Sequence, residues 1–130
     1  VVNGHAFGLG AMIALASDFR VMRADRGFIC LPEIDLKMSF TPAMNALVVN
    51  KLDGRLRRDM MLTGHRLGGE EGVARGLLDA CGGEHELMDL AKQVVAPALD
   101  KDRNSMFAIK RDLNAPIISV VEAGPGVRGD

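Results

Sequence analysis

Tryptophan and tyrosine are absent, and five phenylalanines make up all the aromatic residues. A platform that stacks nucleic-acid bases needs more rings than that. Charge points the same way: 16 basic residues are spread among 17 acidic ones, for a net charge of −1. Without a basic excess, nothing argues for a nucleic-acid partner. Cysteine is scarce. Cys30 and Cys81 form neither a CxxC pair nor a disulfide framework, which reads as a reduced intracellular setting. The histidines, His5, His65 and His85, are scattered without ligand spacing, so no metal site is expected. No apolar run is long enough to span a membrane, and no signal peptide is visible. What remains is 130 residues with 48% hydrophobic content, ample for a core and sized for one domain or part of one.

The most informative stretch is Val1-Val2-Asn3-Gly4-His5-Ala6-Phe7-Gly8-Leu9-Gly10-Ala11. An apolar start enters a glycine-rich turn, and the turn enters an apolar helical pattern. Such a turn presents unpaired backbone N–H groups at a helix N-terminus, where the helix dipole also favours an anion. The anion is either a phosphate or an oxyanion formed during a reaction. The usual phosphate motifs do not fit. Counted from Gly8, the third glycine of the dinucleotide fingerprint falls on Ile13, and no Gly-Lys-Ser/Thr triplet occurs.

A second signal is Gly27-Phe28-Ile29-Cys30-Leu31-Pro32-Glu33-Ile34. A strand-like run ends at a proline, and one carboxylate follows. Pointing inward between Leu31 and Ile34, that carboxylate would lose solvent and become a better base. Pointing outward, it is an ordinary solvated turn residue.

Coarse structure follows from pattern. Residues 1–3 read as a strand tail. Residues 8–17 read as a short helix with Ala11, Leu15 and Ala16 on its apolar face. Phe19–Met22 and Phe28–Leu31 are short strands flanking a polar turn at 24–27. Thr41-Pro42 is a helix start that runs to about Leu52. Further helices are expected over 55–62 and 69–75, the latter closed by Gly76, with 77–80 as an apolar connection. Leu87, Leu90, Ala91, Val94, Val95 and Ala98 form one helical stripe, ended near Pro97. A last helix over 103–113 points Met106, Ile109 and Leu113 inward and is stopped by Pro116. Residues 117–130 read as a flexible tail.

Taken together, four segments resemble the enoyl-CoA hydratase/isomerase family, the crotonase superfamily. Val2-Asn3-Gly4-His5-Ala6-Phe7-Gly8-Leu9-Gly10 resembles its oxyanion segment, and Pro32-Glu33 its catalytic corner. Ala14-Leu15-Ala16-Ser17-Asp18-Phe19-Arg20-Val21 is similar to its helix-to-strand passage. Leu62-Thr63-Gly64-His65-Arg66-Leu67 and Glu71–Asp79 are similar to its Thr-Gly and Gly-Leu-Val-Asp segments. The order and spacing agree across residues 1 to about 80. The resemblance implies an α/β fold, the C-terminal part of a crotonase-like ββα spiral with a helical C-terminal region. On that reading, residues 1–80 carry the oxyanion turn and the catalytic corner. Residues 81–116 are helices for packing and oligomerisation, and 117–130 are tail. Family members carry a substantial N-terminal half before this point, so the chain reads as the C-terminal half of a longer protein or a truncated product. That half supplies the second oxyanion donor, and the piece alone is expected to be inactive.

The chemistry implied by the resemblance is that of an acyl-CoA thioester, which is substrate and not cofactor. The backbone N–H of Leu9, between Gly8 and Gly10, takes the place of one oxyanion donor. Glu33 takes the place of one catalytic glutamate. Met12 stands where hydratases carry another, which favours proton shuttling by a single base, as in Δ3-Δ2-enoyl-CoA isomerases. Gly8, Gly10, Met12, Met38 and Phe40 are expected to line the acyl-CoA pocket, with Ser39 and Thr41 nearby; Met12 reads as core as well, and ordinary helix-start packing is the other reading of 38–41. His5 and Asp35 lie near the site without a catalytic assignment. Lys110 either approaches a CoA phosphate or is a solvated helix residue. The implied partners are acyl-CoA and further copies of the chain, as trimer or hexamer, with no nucleic acid and no membrane. The implied setting is cytoplasmic if the source is bacterial. A hydratase, another crotonase-type enzyme, and an inactive chain that binds CoA or oligomerises remain open.

Overall fold

In the computed structural model, residues 1–124 are described. Four short strands pair in parallel. β1 (Ala6–Phe7) pairs with β3 (Ile29–Cys30), in register Ala6 to Ile29 and Phe7 to Cys30. β2 (Val21–Arg23) pairs with β4 (Ala80–Gly82). Val2 adds a parallel bridge to Met22, and Leu67 an antiparallel bridge to Ile29. Parallel pairs need long crossovers, and helices supply them. α1 (Leu9–Ala16) lies between β1 and β2. α2 (Pro42–Lys51), α3 (Gly54–Thr63) and α4 (Gly69–Ala74) lie between β3 and β4. α5 (Leu87–Val95), α6 (Arg103–Leu113) and α7 (Ala115–Glu122) follow.

The helix starts have local causes. Thr41 Oγ1 accepts the Met44 N–H at 3.2 Å, and Pro42 follows, as the sequence predicts. α3 is capped by Asp53, whose Oδ1 accepts the N–H groups of Arg55 and Leu56. α1 buries Ala11, Met12, Ala14 and Leu15, whereas Ala16 is exposed. Ala11, Met12 and Leu15 join Met22, Ile29, Leu31, Val48, Leu56, Met60, Leu67 and Leu77 in one core. Each such large apolar side chain contributes about 1.5–3 kcal/mol by leaving water.

Three expectations change. Residues 77–80 do not only connect, because Ala80 opens β4 against Val21. That pairing joins segments 59 residues apart and leaves no local signature. In α6, Met106 is half-buried, but Ile109 and Leu113 are 59% and 65% exposed. The periodicity is helical, yet no described element covers this face. The flexible tail does not begin at 117. α6 ends at Leu113, and α7 runs from Ala115 through Glu122 with Pro116 in its first turn, where a helix needs no proline N–H. The remaining tail expectation, at 125–130, lies outside the described residues.

Arg20 ties two of the family-like segments together. Its Nε donates to the Leu77 carbonyl and its Nη1 to the Ser17 carbonyl, both at 2.8 Å. Its backbone N–H donates to Asp79 Oδ2, and its carbonyl accepts the Asp79 N–H. Burial pulls the guanidinium pKa down from its usual value, while Asp79 and Asp18 push it back. Arg20→Met keeps the apolar stem but leaves those carbonyls unpaired. We expect a loss of about 2–3 kcal/mol, typical for charge-assisted hydrogen bonds. Urea unfolding checks this: the midpoint should fall with the slope unchanged.

Candidate active site

The register of β1 and β3 decides where the site lies. The two strands run parallel with Phe7 beside Cys30, so both chains leave the pair at the same edge. The Gly8-Leu9 turn follows one strand, and Leu31-Pro32-Glu33 follows the other. Ligands of parallel sheets bind at this carboxyl edge, where loops diverge.

Gly8 carries the first turn. Its φ is +55°, in the left-handed region open to glycine. Its N–H donates to the Cys30 carbonyl at 3.0 Å, locking the turn onto β3. Leu9 then opens α1, and no side chain caps that helix. Among the described residues, the Leu9 N–H has no hydrogen-bond partner. Its side chain is 73% exposed. The structure therefore leaves this N–H free to donate at the turn that follows β1. Gly10 is less constrained, since an added Cβ would meet only Ala6 Cβ at 3.9 Å.

Glu33 sits on a single 3-10 turn, Pro32–Ile34. It is 5% exposed, the one buried charged residue in the described core. Its Oε2 is buried with no hydrogen-bond partner. A buried polar atom left unpaired costs about 1–3 kcal/mol, and more when charged. Such an atom calls for a reason beyond folding. The turn is closed by the Met38 N–H on the Glu33 carbonyl at 2.8 Å and the Leu36 N–H on the Pro32 carbonyl at 3.1 Å. Lys37 completes it with φ +56°, the only non-glycine among the described residues in the left-handed region. Nothing in the sequence marked that position.

The other expected pocket residues separate. Gly8 and Gly10 are half-buried beside the donor. Met38 is 61% exposed on the loop after the corner. Phe40 is half-buried and packs on the core. Of the two places expected for Met12, the core and the pocket wall, the structure puts it in the core. It is 4% exposed within the core cluster, because it shares the inward face of α1 with Ala11 and Leu15. Gly10 borders a cavity of about 400 Å³ with Val2, His5, Ile13 and Phe19, which Glu33 does not line. A larger groove of about 630 Å³ lies between α6 and α7 and is lined by neither Glu33 nor Leu9.

Nearby polar residues have structural employment. His5 Nδ1 accepts the Phe28 N–H at 3.2 Å, and its ring packs against Phe7 and Phe28. Lys110 Nζ pairs with Asp18 Oδ2 at 2.6 Å, which ties α6 to the end of α1. Arg66 lies over the Phe7 ring, 5.1 Å from its centroid. Cys30 is fully buried, and burial pushes its thiol up from its usual pKa. Among the described residues, no group of three or more metal-ligating side chains converges, and no helix is long and apolar enough to cross a membrane.

Known proteins give the arrangement a family. A sequence model described as Enoyl-CoA hydratase/isomerase matches residues 1–124. Enoyl-CoA delta isomerase 3 of Arabidopsis thaliana is 42% identical over 80 residues, 61% of this chain and 34% of that one. Carnitinyl-CoA dehydratase of Escherichia coli is 32% identical over 111 residues, covering 84% of this chain and 41% of the other. The structure of a probable enoyl-CoA hydratase from Mycobacterium tuberculosis superposes with a TM-score of 0.82 at 20% identity, over 93% of this chain and 51% of that one. The chain thus spans about a third of the first curated relatives and about half of the solved structure. Four matching segments, a mixed α/β architecture and the shared spiral agree: the chain belongs to the enoyl-CoA hydratase/isomerase family, with the crotonase fold and close to its enoyl-CoA isomerases.

Proposed function

We propose that the natural protein isomerises 3-enoyl-CoA to 2-enoyl-CoA in fatty-acid breakdown, with Glu33 moving the proton. The observation that carries this reading is the buried Glu33 carboxylate with its unpaired Oε2. Glu33 takes a proton from C2, between the thioester and the double bond. Negative charge spreads onto the thioester oxygen, which the Leu9 N–H receives. Glu33 then returns the proton to C4, and the double bond comes to lie between C2 and C3. Proton count and charge balance over the cycle, and no metal or redox partner is required. Hydration needs a further group to activate water, and Met12 cannot transfer a proton.

The substrate class is supported by the relatives named as enoyl-CoA delta isomerases. The match to carnitinyl-CoA dehydratase extends over more of the chain, so water elimination is the competing reaction. Exposed apolar residues on α6 suit contact with further copies of the chain, in a trimer or hexamer. A reduced intracellular compartment, the cytoplasm in a bacterium, is the proposed setting. The test is a paired assay of the natural protein with a 3-enoyl-CoA and a 2-enoyl-CoA. Isomerisation should exceed hydration by about a hundredfold or more, the low end of what one acid–base group contributes. Hydration equal to isomerisation, or no turnover of either, would remove this reading.

A further inference from the structure

We infer that Lys37 is a positioning residue, whose left-handed backbone closes the turn that holds Glu33 in its buried place. The inference rests on Glu33 being the proton carrier proposed above. Glu33 is buried, yet no donor among the described residues reaches its Oε2. No hydrogen bond orients that oxygen, so the backbone beneath it must fix where the base sits. That backbone is held on both sides. Before Glu33, the Pro32 ring fixes φ, and the Pro32 carbonyl accepts the N–H groups of Asp35 and Leu36. After it, the Glu33 carbonyl accepts the Met38 N–H at 2.8 Å, and the Ile34 carbonyl accepts the Lys37 N–H at 3.3 Å.

Those last two bonds form a Schellman closure, the Lys37-to-Ile34 bond nested inside the Met38-to-Glu33 bond. Such a closure needs a left-handed residue just before the outer donor, and Lys37 supplies it with φ +56°. Glycine takes this backbone without penalty, whereas Lys37 bears the crowding of its Cβ. The Lys37 side chain is exposed and makes no ion pair among the described residues, so no charge partner offsets that strain. Strained backbone persists where its surroundings over-determine it, and it gathers at active sites. Here the surroundings are the two bonds that close on Ile34 and on Glu33 itself. A helical φ at Lys37 would turn the Met38 N–H away from the Glu33 carbonyl. The peptide that carries the base would then lose its anchor, and misplacement by about 1 Å can cost a hundredfold in rate. The backbone of Lys37 does this, and its ammonium takes no part.

The experiment compares substitutions of Lys37 in the natural protein. Lys37→Val places a β-branched residue where the backbone is left-handed, which such residues resist. It should lower kcat about tenfold or more with KM changed by less than about threefold, because the base moves and the binding walls do not. Lys37→Gly and Lys37→Asn accept this backbone, so kcat should stay within about threefold of wild type and the melting temperature should hold or rise. A merely structural role would lower the melting temperature of Lys37→Val and leave the kcat of the folded protein alone. If Lys37→Val does not fold, Lys37→Thr is β-branched with a polar side chain suited to an exposed turn. A crystal structure of the β-branched variant supplies a readout free of turnover. In it the Met38 N–H should leave the Glu33 carbonyl, and the Glu33 side chain should shift relative to β3. An isomerising protein whose β-branched variant keeps its kcat, or keeps Glu33 undisplaced, overturns the inference. Glycine and asparagine variants as slow as Lys37→Val also overturn it, since the lysine side chain would then be the active part. A wild type that fails to isomerise while the variant displaces Glu33 removes the functional reading and leaves the closure's hold on Glu33 standing.

Discussion

Glu33→Gln should abolish isomerisation, lowering kcat about a thousandfold, while acyl-CoA affinity stays within about threefold. The amide keeps the length and shape of the side chain but cannot accept a proton from C2. Nothing else in the described core can replace it, since Glu33 is the only buried charged residue there. The same change should not lower stability. Oε2 is buried without a partner, so the carboxylate bears a desolvation cost that a neutral amide reduces. Stability and activity are thereby expected to move apart, as they do at sites where function is retained against folding. Single-turnover kinetics with a 3-enoyl-CoA, calorimetric binding of a saturated acyl-CoA and a melting curve test the three parts. A folded Glu33→Gln protein with wild-type turnover would exclude Glu33 as the base. Lost affinity with turnover unchanged would make Glu33 a binding residue.

The parts of the site that were legible in the sequence are those with local causes. Gly8 must adopt a left-handed φ, and a glycine within an apolar strand-to-helix passage announces that. Pro32 ends β3 and starts the turn, so the carboxylate beside it was conspicuous. Thr41 and Pro42 cap and open α2 by chemistry confined to four residues. What escaped depends on distant partners. β4 exists only because Val21–Arg23 lies beside it. The roles of Arg20 and Asp79 appear only when the two segments meet. Gly64 could be read as a helix end, but its carbonyl's acceptance of the Cys30 thiol appears only once α3 packs beside β3. Met12 was legible as a missing carboxylate. It was legible as core too, from the inward face it shares with Ala11 and Leu15, while an apolar residue suits a pocket wall equally well.

Leu9→Pro is the second large effect, with an expected loss in kcat/KM of about 10²–10³-fold, the value of one preorganised oxyanion donor. The position makes this an unusually clean substitution. Leu9 is the first residue of α1, where proline's fixed φ suits the helix and no internal hydrogen bond is lost. Its N–H has no partner among the described residues, and its side chain is 73% exposed. Fold and stability should therefore survive while the donor disappears. Leu9→Ala, which keeps the N–H, should retain turnover within about threefold and serves as the control. The two variants separate backbone from side chain. Circular dichroism and melting curves establish that both fold, and steady-state kinetics give the ratio. If Leu9→Pro folds and turns over at near wild-type rate, the charge on the thioester oxygen is stabilised elsewhere. If Leu9→Ala falls as far as Leu9→Pro, the exposed leucine side chain shapes the site and the N–H does not.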